Sequence, residues 1–444
     1  METVIIGAGV AGLSLGYFLR GRDFLIFEKK KTAGGYLKPV RDGDFFFDLG
    51  VRCIHDEYQE VTGFVEQIVG ISDLERGIIR IKFYLNGGLY DLPFEFNLGL
   101  LPLNKRIGYL SSFIFNRMVG RRKEVVDFRR YAIKKYGRMA DWLLIPHSEK
   151  TWAMHAEEID YTGVLGKLIP PPHIGTLINS LFIQSQSYGF HYLYPRYGMY
   201  DFIQKLSETI GDRVMLDSEV ASIDPWRKIV RLRGGDGYQY RNIISTIPLP
   251  NLMEIIVDIP EEIRTACGFL NFNCMANIGI ELSRRMDFSE HYIMIPEKKY
   301  LFHRITFPRN FSDLMVPEGK DSIIVEISIA RRNSDSLYDD KPKEELVKVA
   351  LRQLEEIGLI KLEEVCGTQI SITKPAYILT DLNWRSKLGL IGDFLKLNSI
   401  RTCGRFAEWK YLKIDDTILE ARRLAGNIIQ GTAFPSGPGK IART

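Results

Sequence analysis

The chain opens on Thr3-Val-Ile-Ile6, continues as Gly7-Ala-Gly9-Val-Ala-Gly12 and answers with Phe24-Leu-Ile-Phe-Glu28. The apolar tetrad predicts a buried parallel strand, residues 11–20 a helix, and Glu28 the end of a second strand. Within that frame the three glycines permit a tight turn, close backbone approach to a pyrophosphate and close helix packing. The pyrophosphate is expected on the helix N-terminus, where unpaired N–H groups and the helix dipole favour negative charge. Glu28 would then accept hydrogen bonds from both hydroxyls of an adenosine ribose and disfavour a 2′-phosphate. A glycine triplet alone fits many strand-to-helix turns; strand, turn, helix, strand and acid in this order predict a dinucleotide site.

Lys29-Lys-Lys-Thr-Ala-Gly34-Gly35 follows the acid directly. A Gly-Gly pair here lets the chain pass close to a second phosphate and a ribityl arm. An NAD domain does not need it, so FAD is the expected cofactor.

Charge excludes one class of partner. The 444 residues carry 59 basic and 55 acidic side chains, a net charge of +4, too even for a nucleic-acid-binding face to be expected. Cys53, Cys267, Cys274, Cys366 and Cys403 are odd in number and scattered, without Cys-x-x-Cys spacing. With no secretory signal ahead of the first strand, the expectation is a reducing, cytoplasmic setting and no metal site. A buried thiol is a simpler reading of Cys403 than covalent flavin attachment. No run reaches the roughly 18 apolar residues of a membrane span. Residues 110–118 are largely apolar and run into Val119-Gly-Arg-Arg-Lys-Glu124, which reads first as a core helix with a solvated end and second as a contact for a membrane surface. Oligomeric state is not set by any of these features.

No internal repeat or long linker divides the chain, so its domains are expected to interleave. FAD-binding segments are expected at 1–60, 191–250 and 386–430. A mostly helical insertion at 61–190 would cap the substrate, a sheet with a helix at 251–385 would form the rest of the substrate domain, and 431–444 would be a mobile tail. In the middle segment 214–223 alternates like one strand, 229–237 reads as a hairpin and 242–248 as a second buried strand. Residues 128–144 are the clearest helical stretch of the first insertion. In the second, 277–282, 292–295, 302–307 and 322–329 read as strands and 343–357 as an amphipathic helix opened by Pro342. The fold class is therefore α/β, a doubly wound Rossmann-like FAD-binding domain interleaved with a mixed-sheet-plus-helices substrate domain, and the ligand is expected between them.

With its glycine triplet, acid and Gly-Gly pair, the chain resembles the FAD-dependent amine oxidase superfamily. Further segments are similar to the UDP-galactopyranose mutase branch and its relatives of bacterial polysaccharide clusters: Phe47-Asp-Leu-Gly50 with Val-Arg-Cys-Ile-His55, Asn86-Gly-Gly-Leu-Tyr-Asp-Leu-Pro93, Ile145-Pro-His-Ser-Glu-Lys150-Thr-Trp152, His291 through Ser312, and Cys403-Gly404-Arg405 through Asp415-Asp416. The resemblance implies that Arg304, Arg405 and Tyr411 hold the diphosphate of a sugar nucleotide, arginine forks being suited to phosphate oxygens. It implies that the backbone at Val220 touches adenine. Asp415, with the N-terminus of a helix over 416–429, would face the flavin ribityl or pyrimidine edge; its alternative role is an N-cap. Three positions depart from that pattern. Arg52 stands where the mutases carry a histidine beside flavin N5, with His55 out of step, while Leu193 replaces a diphosphate arginine and Met294 a substrate tyrosine.

Two chemistries follow from the resemblance. In the first, a small-molecule substrate, a nucleotide-linked sugar among the candidates, passes a hydride to flavin N5, with a cation such as Arg52 or the helix after Asp415 stabilising the reduced ring. Tyr192, Tyr194, Tyr377 and Trp152 would wall the substrate, although aromatic residues at such positions are more often core. In the second, a non-redox mutase, reduced flavin N5 attacks an anomeric carbon and the diphosphate leaves against fixed cations. Arg304 and Arg405 favour the mutase, and Leu193, Met294 and Arg52 count against it. A third reading is a non-catalytic flavin-binding partner.

Overall fold

The computed structural model describes residues 1–50, 52–92, 98–99, 101–119, 125–164, 174–179, 189–333 and 340–431. The expected tail, apart from Gly431, and the basic run after Val119 lie outside them, as does Pro93. The chain forms two compact units. One takes Met1–Gly35, Ile203–Leu270 and the chain from Arg385, and the other Tyr36–Phe202 and Asn271–Trp384. The boundaries thus differ from the expected ones chiefly at 36–60 and 191–202, which join the second unit, and at 251–270, which join the first.

The first unit is built on a five-stranded parallel sheet in the order Val214–Met215, Phe24–Phe27, Thr3–Ile6, Asn242–Ser245, Ile400–Thr402. Thr3–Ile6 is buried at every position, as an apolar run covered on both faces should be. The chain leaves this central strand first to one side and returns on the other, which is the switch point where such sheets bind ligands. Its Val10–Phe18 helix packs on the Ile414–Ile429 helix through small buried residues, among them Ala11, Gly12, Ala421 and Ala425.

The single strand expected over 214–223 is instead two, Val214–Met215 in the parallel sheet and Val220–Asp224 in a three-stranded antiparallel sheet with Ile229–Leu232 and Gly237–Gln239. The break lies at Asp217, with φ 52°. There the N–H groups of Asp217 and Ser218 donate to the carbonyls of Lys30 and Glu28. Alternation continued through the turn, and only the tertiary partner separates the halves.

The second unit centres on a seven-stranded sheet in the order Val365–Leu379, Asn271–Leu282, Asp321–Ala330, Arg304–Thr306, Tyr292–Met294, Ile81–Leu85, Gly88–Asp91. Ile278, Ile280, Ile293, Ile305, Ile323 and Val325 form its core with Ala350 and Leu354 of the Asp340–Ile357 helix. A smaller sheet places His191–Pro195 between Ile54–His55 and Leu74–Ile78.

The described residues of 61–190 are mostly helical but also carry strands that were not expected. Helices Gln59–Val69, Leu103–Val119, Phe128–Tyr136 and Ile145–Trp152 are present, but Leu74–Ile78, Ile81–Leu85 and Gly88–Asp91 complete the two sheets. Asn86 and Gly87, at φ 51° and 80°, make the two-residue turn joining the last two strands. Asn-Gly between alternating apolar residues is the local signal for that hairpin. Among the described residues, no helix is long and apolar enough to cross a membrane.

Candidate functional site

In the first unit the glycine loop is shaped by what it excludes. A Cβ on Gly12 would lie 1.9 Å from the Gly7 carbonyl oxygen, so only glycine lets the helix start this close to the strand. Gly9 caps the Val10–Phe18 helix, which has no side-chain cap and no acid in its first turn. Its first N–H groups therefore lie outside the helical ladder and face the space an anion would take. The Gly34-Gly35 segment lies over this loop. Gly34 donates its N–H to the Ala8 carbonyl at 2.8 Å, and a Cβ on Gly35 would stand 3.2 Å from the Gly9 Cα.

Glu28, 8% exposed, ties these parts together. Its Oε2 accepts the Ala8 N–H at 2.9 Å and its Oε1 the Lys30 N–H at 3.0 Å. The backbone role was not expected from sequence. Each oxygen still has a lone pair that a ribose hydroxyl can use.

Val220 begins its strand opposite Leu232 and is buried. Gly404, at φ 98°, brings the C-terminal loop onto the first helix, where a Cβ would meet the Ala11 Cβ at 2.8 Å. The Arg405 guanidinium lies over the Tyr411 ring, 4.0 Å from its centroid. Asp415 is 1% exposed and is not the N-cap. The helix starts at Ile414 with Lys413 as its cap residue, and the Asp416 Oδ2 accepts the Lys413 N–H at 3.0 Å. Cys403 is buried, and burial pushes its thiol well above the ordinary range, which keeps it protonated and a poor nucleophile.

In the second unit Gly50, at φ 84°, is the point around which charged groups gather. A Cβ there would stand 3.6 Å from the Glu326 Oε1, 3.7 Å from the Arg52 Nε and 3.8 Å from the Arg304 Nη2. Arg304 and Glu326 are direct cross-strand partners. The Arg304 Nε donates to Glu326 Oε1 at 3.1 Å, its Nη2 bonds the other carboxylate oxygen, and its guanidinium reaches the Tyr377 hydroxyl at 3.5 Å. Burial alone would lower the Arg304 pKa, but the Glu326 charge and Tyr377 outweigh it and the net shift is upward. The Arg52 Nε donates to the Leu49 carbonyl at 2.5 Å. Glu326, 1% exposed, was missed by sequence reasoning. Its signal is the lone acid in the apolar strand Ile323-Ile-Val-Glu-Ile-Ser-Ile329.

The departures have structural homes. Leu193 is fully buried, paired with Ile54 on one side and Arg76 on the other, and Met294 pairs with Arg304. Among the aromatic residues, Tyr194 donates to Asp48 at 2.7 Å, Tyr192 bonds His291 at 3.2 Å and Trp152 packs edge-on against Phe128. These three serve the core. Lys150, in the Ile145–Trp152 helix, donates to the carbonyls of Ile295, Glu297 and Phe302 at 2.8, 2.9 and 2.7 Å. Burial lowers its pKa to about 7.

Residues 5–68 match the family model of the NAD(P)-binding Rossmann-like domain. Along its length the chain is similar to a reduced UDP-galactopyranose mutase, with TM-score 0.89 and 19% identity over 98% of this chain and 96% of that one. It is also similar to a putative protoporphyrinogen oxidase from Exiguobacterium sp. 255-15, with TM-score 0.74 and 15% identity over 97% and 99%. A putrescine oxidase double mutant matches with TM-score 0.65 and 14% identity over 97% and 99%. The chain thus shares the fold of these three structures. At these identities the likeness carries the fold and not the reaction, which differs between a mutase and an oxidase.

Proposed function

We propose that the chain is an FAD-dependent enzyme that oxidises a small-molecule substrate. The observation that carries the cofactor assignment is the double glycine cradle, in which Gly35 lies over Gly9 above an uncapped helix start, with Glu28 fixed beneath by two backbone N–H groups. One such loop suits any dinucleotide, and the second suits the longer reach of FAD. In this reading the helix N-terminus holds the pyrophosphate, Glu28 accepts the ribose hydroxyls, and Gly404 lets the Arg405 loop close on Ala11. When bound, FAD supplies a hydride acceptor at N5. Arg405, stacked on Tyr411, presents a planar cation with a fixed orientation to an anionic or polar substrate group.

Oxidation is preferred to sugar-nucleotide rearrangement because the cations needed for a leaving diphosphate are depleted. The Arg304 charge is met by Glu326, and the Leu193 position is apolar core. The second reading, a mutase, is supported by the 0.89 TM-score over nearly the full length of both chains and by the Arg405–Tyr411 pair. Purified protein should carry a flavin spectrum, and Glu28→Ala should lower flavin retained after dialysis by about tenfold, the loss expected for hydrogen bonds to a charged acceptor. Unchanged occupancy removes Glu28 from the site. Anaerobic bleaching by an amine, alcohol or other reduced donor supports oxidation. Tight UDP binding that favours the dithionite-reduced form, with no donor bleaching the flavin, selects the mutase.

A further inference from the structure

The Leu103–Val119 helix of the second unit has two apolar faces, and among the described residues only one is covered. Its inner face buries Phe113 and packs Tyr109 on Trp142, with ring centroids 5.6 Å apart. On the opposite side Leu103, Ile107, Ile114, Phe115 and Met118 are 68%, 58%, 40%, 62% and 75% exposed. The spacing of Leu103, Ile107, Ile114 and Met118 places them along one stripe at the helical period, with Phe115 on its flank. Exposed apolar side chains scattered singly need no explanation, but five on one helix face form a patch.

Charge says what covers it. The helix contains no acidic residue, and residues 101–119 and 125–138 together hold eight Lys or Arg against one acid, Asp127; of these Arg130 pairs with Asp127, and Arg129 with Asp141 and Glu157. The rest of the chain is near neutral, since the whole is +4. Two of the cations lie at the helix itself. Lys105 stands 4.7 Å over the Trp142 ring on the inner side of the helix, and the Arg138 guanidinium is 3.6 Å from where a Gly108 Cβ would be, on the Phe115 flank of the stripe. An apolar stripe on a helix whose only charged residues are cationic is the pattern of a helix that lies in a bilayer interface and is drawn there by anionic lipid. A second copy of the chain is a poorer occupant, because an isologous contact would set the same cations against each other.

We propose that the Leu103–Val119 helix docks the protein on an anionic membrane surface, with Leu103, Ile107, Ile114, Phe115 and Met118 entering the interface and the surrounding lysines and arginines facing lipid phosphates. The full chain is tested by co-sedimentation with vesicles of phosphatidylcholine and phosphatidylglycerol at about 7:3 and with phosphatidylcholine alone. Partitioning should be at least about tenfold stronger on the anionic vesicles and fall steeply with added salt. Replacing both Phe115→Ser and Met118→Ser, exposed positions that leave the inner face intact, should weaken it about tenfold at an unchanged melting temperature. Absence of vesicle binding, equal binding to both compositions, or binding indifferent to the double substitution would overturn the proposal. So would a dimer in sedimentation that the double substitution dissolves, because the stripe would then be a self-interface. The lipid and salt series uses the unsubstituted chain and decides the matter even if the variant is unstable.

Discussion

At the scale of single residues, the molecule places charge where burial makes it conditional. Glu326 is almost fully buried and tolerable only because Arg304 faces it across the strands. Arg304→Ala should therefore cost about 3–5 kcal/mol of stability, most of it from the stranded carboxylate. Replacing the pair together, Arg304→Met with Glu326→Met, should recover the larger part of that loss in urea unfolding. If the double variant is no more stable than the single one, the cost lies in something other than the unpaired charge. Gly50 beside them shows why a sequence cannot reveal such a group. Phe47-Asp-Leu-Gly50, Arg304 and Glu326 are far apart in the chain, and only their meeting gives each its role. Glu28 shows the converse, since its place after the second strand was legible, while its two backbone bonds appeared only with the folded loops.

At the scale of elements, local signals succeeded where one face or one turn dictates the outcome. Thr3–Ile6 and the helix after it follow from an apolar run and glycines that only a tight turn uses. Val365–Leu379, the longest strand of the second unit, was not expected because much of it is only half-buried, and its alternation is correspondingly soft. Helix Ile145–Trp152 is fixed to the loop between Tyr292–Met294 and Arg304–Thr306 by Lys150, which satisfies three carbonyls, and at the surface by Glu149, which accepts the Lys298 Nζ at 2.8 Å. Lys150→Met keeps the aliphatic stem and removes the donors. It should destabilise the fold by about 2–3 kcal/mol and speed amide exchange in the 295–302 loop. Unchanged exchange there would mean that the loop is held by its own backbone or by the Glu149–Lys298 pair.

At the scale of the whole molecule, one buried histidine links folding to pH. His291 is 2% exposed, accepts the Arg80 N–H on Nδ1 and bonds Tyr192 through Nε2. Burial, with the Arg80 charge adding to it, lowers its pKa from 6.5 to about 4. The unfolded chain therefore takes up a proton near pH 6.5 while the folded chain holds out to about pH 4. The stability His291 contributes is complete above pH 6.5 and is lost as pH falls through that window, by about 3 kcal/mol in all. Urea midpoints measured from pH 7 to 4 should show this slope, and His291→Leu should flatten it even though the variant starts from a lower stability. An equal slope in the variant would assign the acid sensitivity to other groups.

The sequence by itself determined the dinucleotide frame, the interleaving of two units and the resemblance that the whole-chain likeness then matched as a fold. These follow from contiguous residues whose spacing speaks for local geometry: glycines where a Cβ cannot fit, apolar runs where both faces are covered, an acid at a strand end. The tertiary structure decided that Arg304 is answered by Glu326, that Leu193 is core, that 214–223 divides between two sheets, and that strands from the first insertion finish the second unit's sheet. Each of those outcomes depends on a partner distant in sequence. The free energy of burying a charge, a leucine or a strand edge is fixed by what lies against it, and a one-dimensional pattern does not contain that neighbour.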